Sequence, residues 1–171
     1  GDYVKRVRAK KHSGNKIAKL IVNNFRLATK GVHVGLNVSH AIANVIGHSA
    51  YNKVVGAATS MLGQKMEWTK YTPKAAHVKI EKQTSLKPNA LKVVYFSSCI
   101  NKMMGASNSY TDEDTVYNKT VKILNKANCE IIYPDASENL CCGLAFKSLG
   151  FAESAHISSD RLYASLLKAS N

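Results

Sequence analysis

Apolar residues recur with helical spacing from Gly14 onward, separated by lysine, asparagine and arginine on the other faces. The pattern predicts an amphipathic helix from Gly14 to Lys30, with Asn24 as a polar break and Gly31 as its end. The positions of its apolar face are Ile17, Leu20, Ile21 and Phe25.

A second helical pattern places an apolar stripe beside a polar one. The apolar stripe comprises Val34, Val38, Ala41, Ile42 and Val45, and the polar stripe His33, Asn37, His40 and Asn44. The polar stripe has no i, i+4 histidine pair and no nearby carboxylate, so we expect solvated or buried polar groups rather than a metal site. A third helix is predicted over residues 51–66, stopping before Trp68, Tyr71 and Pro73, and residues 74–90 are predicted to be a linker.

The helical spacing of apolar residues stops at Leu91, where the run LKVVYF predicts a short strand over residues 91–96. CEIIYP predicts a second strand over residues 129–134, and a last helical pattern begins near Ser158 and runs to Ser170. Thr111 with Asp114 predicts a capping box before the helix that lies between the two strands. The residues of that helix expected to point inward are Val116, Tyr117, Thr120, Val121 and Leu124.

These elements predict an α/β chain with three parts. Residues 1–73 form a small, basic helical region, and residues 74–90 connect it to a cysteine-rich module over residues 91–171. Strand, helix and strand in that order predict a parallel, right-handed, Rossmann-like unit. The module lacks a third strand in this sequence, so we expect it to be incomplete.

The cysteines mark the candidate chemistry. Cys99 follows the first strand, and Cys141, Cys142 and Gly143 follow the second. Because the carboxyl ends of parallel strands share one edge of a sheet, we expect Cys99 to meet the Cys141–Cys142 pair. Grouped thiols suit iron–sulfur clusters and zinc. Cys129, within the second strand, is expected to be a buried packing residue.

Charge divides the chain into two halves. Residues 1–90 hold 16 Lys and Arg residues against 3 acidic ones, whereas residues 91–171 hold 8 of each. The N-terminal run lacks the apolar core of a signal peptide, and adjacent cysteines suit free thiols better than disulfides. We therefore expect a reducing, cytoplasmic location, with peripheral contact at the cytoplasmic face of the inner membrane as an extension, and no specific nucleic-acid binding.

The strings FSSCINKMMG and IIYPDASENLCCGLAFKSLGF resemble the first half of a CCG domain, the cysteine-rich module of heterodisulfide reductases and related iron–sulfur oxidoreductases. They are closest to the C-terminal iron–sulfur part of FAD-linked D-lactate dehydrogenases and glycolate oxidase-like enzymes. The stretch ending in WTKYTPKAA resembles the connector before that module. The resemblance implies that Cys99, Cys141 and Cys142 are ligands of a 4Fe–4S-type cluster, with Gly143 as the motif glycine.

The family pattern also closes with a second cysteine pair, but none of the 29 residues after Cys142 is a cysteine. The ligand set is therefore expected to be incomplete in this chain. No flavin-binding fingerprint occurs either, so FAD and hydroxy-acid oxidation belong to another part of the parent enzyme. The resemblance implies electron transfer from that flavin part to a quinone or other carrier.

Three alternatives stay open. The first is a free-standing iron–sulfur protein of the heterodisulfide reductase type. The second is a thiol or zinc site, in which Cys141 and Cys142 exchange disulfides with Cys99 or the three bind zinc together with His156. The third is a non-enzymatic module whose basic half docks on an anionic surface. An unpaired sheet edge further predicts homodimerisation.

Overall fold

The structure, a computed structural model, describes residues 12–61, 66–76, 78, 90–107 and 114–171. Within them the chain is mostly helical, with one small parallel sheet. The helices are α1 (His12–Asn23), α2 (Phe25–Ile46), α3 (His48–Met61), α4 (Cys99–Met103), α5 (Val116–Lys126), α6 (Leu144–Leu149) and α7 (Ala152–Ser170), and Ser137–Asn139 form a 3-10 turn. The strands are β1 (Leu91–Val94) and β2 (Cys129–Ile132).

The predicted parallel strand pair is confirmed. Leu91 pairs with Cys129 and Val94 with Ile132, in one continuous parallel register. In the described residues between the strands, the chain forms helices α4 and α5. This agrees with the coarse α/β expectation. Both strands are shorter than predicted: β1 ends before Tyr95 and β2 ends before Tyr133. Tyr95 still donates its backbone N–H to the Ile132 carbonyl at 2.9 Å.

The chain forms two compact units. The first comprises Gly1–Thr29, Ile80–Cys99 and Thr120–Asn171, and the second comprises Lys30–Lys79 and Ile100–Lys119. Each unit thus draws on residues from both sides of the predicted linker 74–90. The predicted domain boundaries at residues 73 and 90 stay a prediction.

The core of the first unit joins α1, α6 and α7. Its buried residues are Ala18, Val22, Cys141, Phe146 and Ala155. The absence of a side chain at Gly14 lets α1 approach the Phe151 ring closely, since a Cβ there would lie 3.1 Å from a ring carbon. Arg161 of α7 donates to the Val22 carbonyl at 3.0 Å, satisfying an acceptor that the end of α1 leaves open.

The second unit buries Trp68 against α2 and α3. The Trp68 ring meets His40 and Tyr51 edge-on, at centroid distances of 4.8 and 5.1 Å, and its indole N–H donates to Nδ1 of His48 at 3.2 Å. His40 in turn donates from Nε2 to the Pro73 carbonyl at 3.0 Å. On the polar stripe, His40 is 5% exposed, whereas Asn37 and Asn44 face solvent.

The start of the predicted linker is packed within the second unit. Ala75 and Ala76 are buried, and Ala75 forms an isolated antiparallel bridge with Met104. The Ala76 N–H donates to the Met103 carbonyl at 2.9 Å, and the Gly105 N–H donates to the Lys74 carbonyl at 2.8 Å. Residues 79–89 lie outside the described part of the chain.

Several predicted helix boundaries are wrong. A break does occur at Asn24, but Gly31 does not end a helix, since α2 continues through it to Ile46 and stops at Gly47, whose φ is +87°. A single glycine in a helix interior costs only about 1 kcal/mol relative to alanine, so the 22-residue helix α2 continues through Gly31. The third helix begins at His48 rather than residue 51, and Met66, its predicted end, is not helical; residues 62–65 lie outside the described part of the chain. Helix α7 begins at Ala152 rather than Ser158.

Helix α5 is capped by a residue that the sequence pattern did not single out. Thr111 lies outside the described residues, whereas the Thr115 hydroxyl accepts the Asn118 N–H at 3.1 Å. Val116, expected to face inward, is 60% exposed, because it lies about 100° around the helix from the buried Tyr117. Thr120, Val121 and Leu124 are half-buried, as their shared face with Tyr117 predicts.

The Thr115 cap yields a prediction on stability. Replacing Thr115 with alanine removes the acceptor for a helix N–H and should lower the free energy of unfolding by about 1 kcal/mol. Thr115→Ser keeps the hydroxyl and is the matched control, expected to lose less than half of that amount. Chemical denaturation of the three proteins measures the difference, and equal losses for alanine and serine would contradict the capping role.

Candidate cysteine site

Both strands lead toward the cysteines. After β1, residues 95–98 run to Cys99, which begins α4, and after β2 the chain passes through the 3-10 turn to Cys141 and Cys142. Because β1 and β2 are parallel neighbours, both connections start at the same edge of the sheet. All four cysteines belong to the first compact unit and are free thiols.

The predicted meeting of Cys99 with the Cys141–Cys142 pair is confirmed for Cys141, whereas Cys142 is exposed and is not part of the core cluster. Cys141 is 5% exposed and lies in the core cluster, and Cys99 packs against that cluster half-buried. The Cys141 side chain also shares a hydrogen bond with Cys99. Two thiols that are 42 positions apart in the sequence are thus brought into contact by the strand pairing and by the packing of α6 and α7.

The contact changes the acidity of Cys141. Donation of its S–H to Cys99 raises the pKa of Cys141 well above that of an ordinary thiol, and burial in the core raises it further. The Gly143 N–H, which donates to the Cys141 sulfur at 3.4 Å, acts in the opposite direction but more weakly. Cys141 therefore holds its proton in this fold, and a metal ion would have to displace that proton to bind.

Cys142 and Cys129 differ from this pair. Cys142 is exposed, directly beside the buried Cys141. Cys129 is buried within β2, and its thiol donates to the Ala127 carbonyl at 3.8 Å. Cys129 is not a member of the cluster that contains Cys141. It therefore matches the expected packing residue and offers a control for experiments on the other thiols.

Gly143 is required by its backbone and its neighbour. Its φ is +79°, in the left-handed region that favours glycine, and it forms the N-cap of α6. A Cβ at this position would lie 2.5 Å from the Ala155 carbonyl oxygen, too close for any side chain. Just before this glycine, Cys141 is buried in the cluster that includes Ala155 of α7, and Cys142 is exposed.

The described residues do not bring three ligands together. Among them, no three His, Cys, Asp or Glu side chains are grouped closely enough to hold a metal ion. His156, considered above as a zinc ligand, is exposed on α7. The donor chemistry of Cys99 and Cys141 nevertheless fits a soft metal, because both are sulfur ligands in contact and Cys142 lies next in the chain.

Ser97 is a residue of this region that the sequence pattern did not reveal. It is 7% exposed, and in the part of the chain that the structure describes its hydroxyl oxygen finds no hydrogen-bond partner. Only its position between β1 and Cys99 could have drawn attention to it. The second unit separately contains an open cavity of about 390 Å³, lined by Asn37, Lys74, Thr115 and other residues, that includes none of the cysteines.

Comparisons with known proteins leave the family open. No family model matches the chain, and no match was found among the curated proteins or among the solved structures. The resemblance to the CCG domain therefore stays a prediction. In the described residues, no helix combines the length and apolar character needed to cross a membrane.

The Gly143 geometry predicts a large effect of a single methyl group. Gly143→Ala forces a Cβ against Ala155 and should lower the free energy of unfolding by roughly 2 kcal/mol or more, from left-handed strain together with the clash. Gly47→Ala is the matched control, because Gly47 has a similar φ but no heavy atom within 4 Å of the added Cβ. Thermal unfolding compares them, and equal losses would contradict the close approach of Ala155.

Proposed function

We propose that this chain is the electron-transfer part of an iron–sulfur oxidoreductase, with Cys99, Cys141 and Cys142 as cluster ligands and Gly143 shaping the loop that carries two of them. The observation that supports it best is the contact between the Cys99 and Cys141 thiols, reached from two neighbouring strand ends. The module around them is proposed to be an incomplete Rossmann-like unit of the CCG type.

The three cysteines supply sulfur ligands, and the Gly143 N–H stabilises the charge of one of them. Cys99 and Cys141 offer two ligands from within the fold, and the exposed Cys142 offers a third at the surface. The Gly143 N–H already donates to the Cys141 sulfur and would support the negative charge of a bound thiolate. An iron–sulfur cluster, when bound, accepts and releases single electrons.

The parent reaction follows from the resemblance. A flavin-binding part of the same enzyme would hold FAD and oxidise a 2-hydroxy acid such as D-lactate. The cysteine module would then pass the electrons to a quinone or another carrier. A protein of the heterodisulfide reductase type would use the same cysteines with another electron donor.

A thiol–disulfide role is the second candidate, and the same contact favours it. Cys99 and Cys141 could form an internal disulfide by reducing a small disulfide such as oxidised glutathione, which would leave as two thiols. Each protein thiol loses one hydrogen and the small disulfide gains both. Cys99, the less buried of the two, would attack the small disulfide first and release one small thiol. Cys141 would then attack the Cys99 sulfur of the mixed disulfide and release the second small thiol.

Anaerobic reconstitution tests the proposal. The chain is incubated with iron, sulfide and an excess of a small thiol that can complete the ligand set, and then desalted. We expect bound iron and sulfide with visible absorption and an EPR signal on reduction. Cys99→Ser and Cys141→Ser should each lose most of the iron, whereas Cys129→Ser should keep it, since Cys129 lies outside the thiol contact.

Two outcomes would contradict the cluster. One is equal iron retention in all three variants, which would show that binding does not depend on the thiol contact. The other is no retained iron in any protein, together with a mass loss of two hydrogens and a Cys99–Cys141 linked peptide after treatment with oxidised glutathione. That second result would favour the thiol–disulfide role. Circular dichroism of each variant separates loss of ligands from loss of fold.

A further inference from the structure

Helix α2 buries His40, half-buries His33 and exposes its apolar stripe, the reverse of a surface helix in a globular protein. His40 and Ala43 are 5% and 0% exposed, and His33 donates from Nε2 to the Lys102 carbonyl at 3.1 Å. The apolar residues of the other face, here called the α2 stripe, are Val34 (63% exposed), Val38 (51%), Ala41 (exposed), Ile42 (42%) and Val45 (85%).

The stripe has the spacing of a helix-pairing seam. Starting from Gly31, its positions 34, 38, 41 and 45 are separated alternately by three and four residues. This 3.5-residue repeat keeps the same side of a helix turned toward a partner helix. Single exposed valines are ordinary on protein surfaces, but a continuous apolar row marks an interaction site.

Charge around the stripe favours protein over membrane. No Lys, Arg, Asp or Glu occurs from Gly31 to Asn52, so the uncharged surroundings extend along the whole stripe. A helix that lies on a membrane typically carries Lys and Arg beside its apolar face. An uncharged apolar seam instead fits an uncharged apolar helix, and a second copy of α2 is such a helix.

The charges at the two ends of α2 are complementary between two copies only when the helices are antiparallel. The last turn of α2 has no basic residue, while Lys30 is exposed just before the stripe begins. In an antiparallel pair centred on Val38, Lys30 of one copy lies opposite Ile46 of the other, where helix carbonyls concentrate partial negative charge. A parallel pair would instead bring two Lys30 side chains together.

The shapes also match in that register. Gly31 lies opposite Val45 of the other copy, and no heavy atom lies within 4 Å of a Cβ built at Gly31, which leaves room for the most exposed valine of the stripe. Gly35, equally open, lies opposite Ala41, so the backbones can approach closely. Val34 lies opposite Ile42.

We propose that the α2 stripe pairs antiparallel with the same stripe of a second copy of this chain, with Val38 on the two-fold axis. The pairing is isologous, so each contact occurs twice. From Gly31 to Ile46 the seam is only about 24 Å long, which makes a small interface and a weak dimer. This inference is independent of the cysteine chemistry.

Sedimentation equilibrium of the full chain in reducing buffer tests the pairing. We expect the mean mass to rise toward that of a dimer between about 1 μM and 1 mM. Val38→Lys places two like charges on the axis and should raise the dissociation constant at least tenfold, by about the cost of one close like-charge pair. Val54→Lys is the matched control, since Val54 is similarly exposed at 58% but lies on α3.

Single cysteines test the direction in a Cys142→Ser background. Val38→Cys should give an intermolecular disulfide on mild oxidation, whereas Val45→Cys should not, because residues 45 of an antiparallel pair lie far apart. Equal crosslinking at both positions would overturn the antiparallel arrangement. A monomer at all concentrations, or a dimer that Val38→Lys leaves unchanged, would overturn the interface. Binding of the monomer to anionic vesicles that Val38→Lys abolishes would assign the stripe to a membrane surface instead.

Discussion

The contact between the Cys99 and Cys141 thiols is the interaction on which the rest of this site depends. It requires β1 and β2 to pair in parallel, the β1 connection to reach the start of α4, and the loop after β2 to turn inward. Its surroundings are apolar, because Ala18, Val22, Phe146 and Ala155 form the buried cluster with Cys141. A hydrogen bond between two thiols is weak in water, and burial in the apolar core strengthens it.

A second constraint acts through the backbone. Gly143 adopts a left-handed conformation against the Ala155 carbonyl, where no other residue has room for its Cβ. That geometry gives adjacent cysteines opposite environments, one in the core and one at the surface. Cys141 is thus fixed by packing in the core, while Cys142 can be reached from solvent.

Sequence patterns predicted the features that follow from the spacing of apolar residues and from the geometry of a parallel sheet. The strand pair, the meeting of Cys99 with Cys141, the burial of Cys129 and the break at Asn24 all follow from short-range spacing and the geometry of parallel sheets. The predicted helix boundary at Gly31 was wrong, because a glycine ends a helix where the backbone turns left-handed, as at Gly47, and its propensity cost alone is only about 1 kcal/mol. The inverted exposure of α2 was equally hidden, since periodicity identifies two faces but not which one is buried.

A double-mutant cycle on Cys99 and Cys141 tests the thiol contact most directly. The free energy of unfolding is measured for Cys99→Ala, Cys141→Ala and the double variant, with Cys129→Ala combined with Cys141→Ala as the control pair. A coupling of about 0.5 kcal/mol or more between Cys99 and Cys141, with additivity for the control pair, is the predicted result. Additive losses for Cys99 and Cys141 would contradict the contact and, with it, the site built upon it.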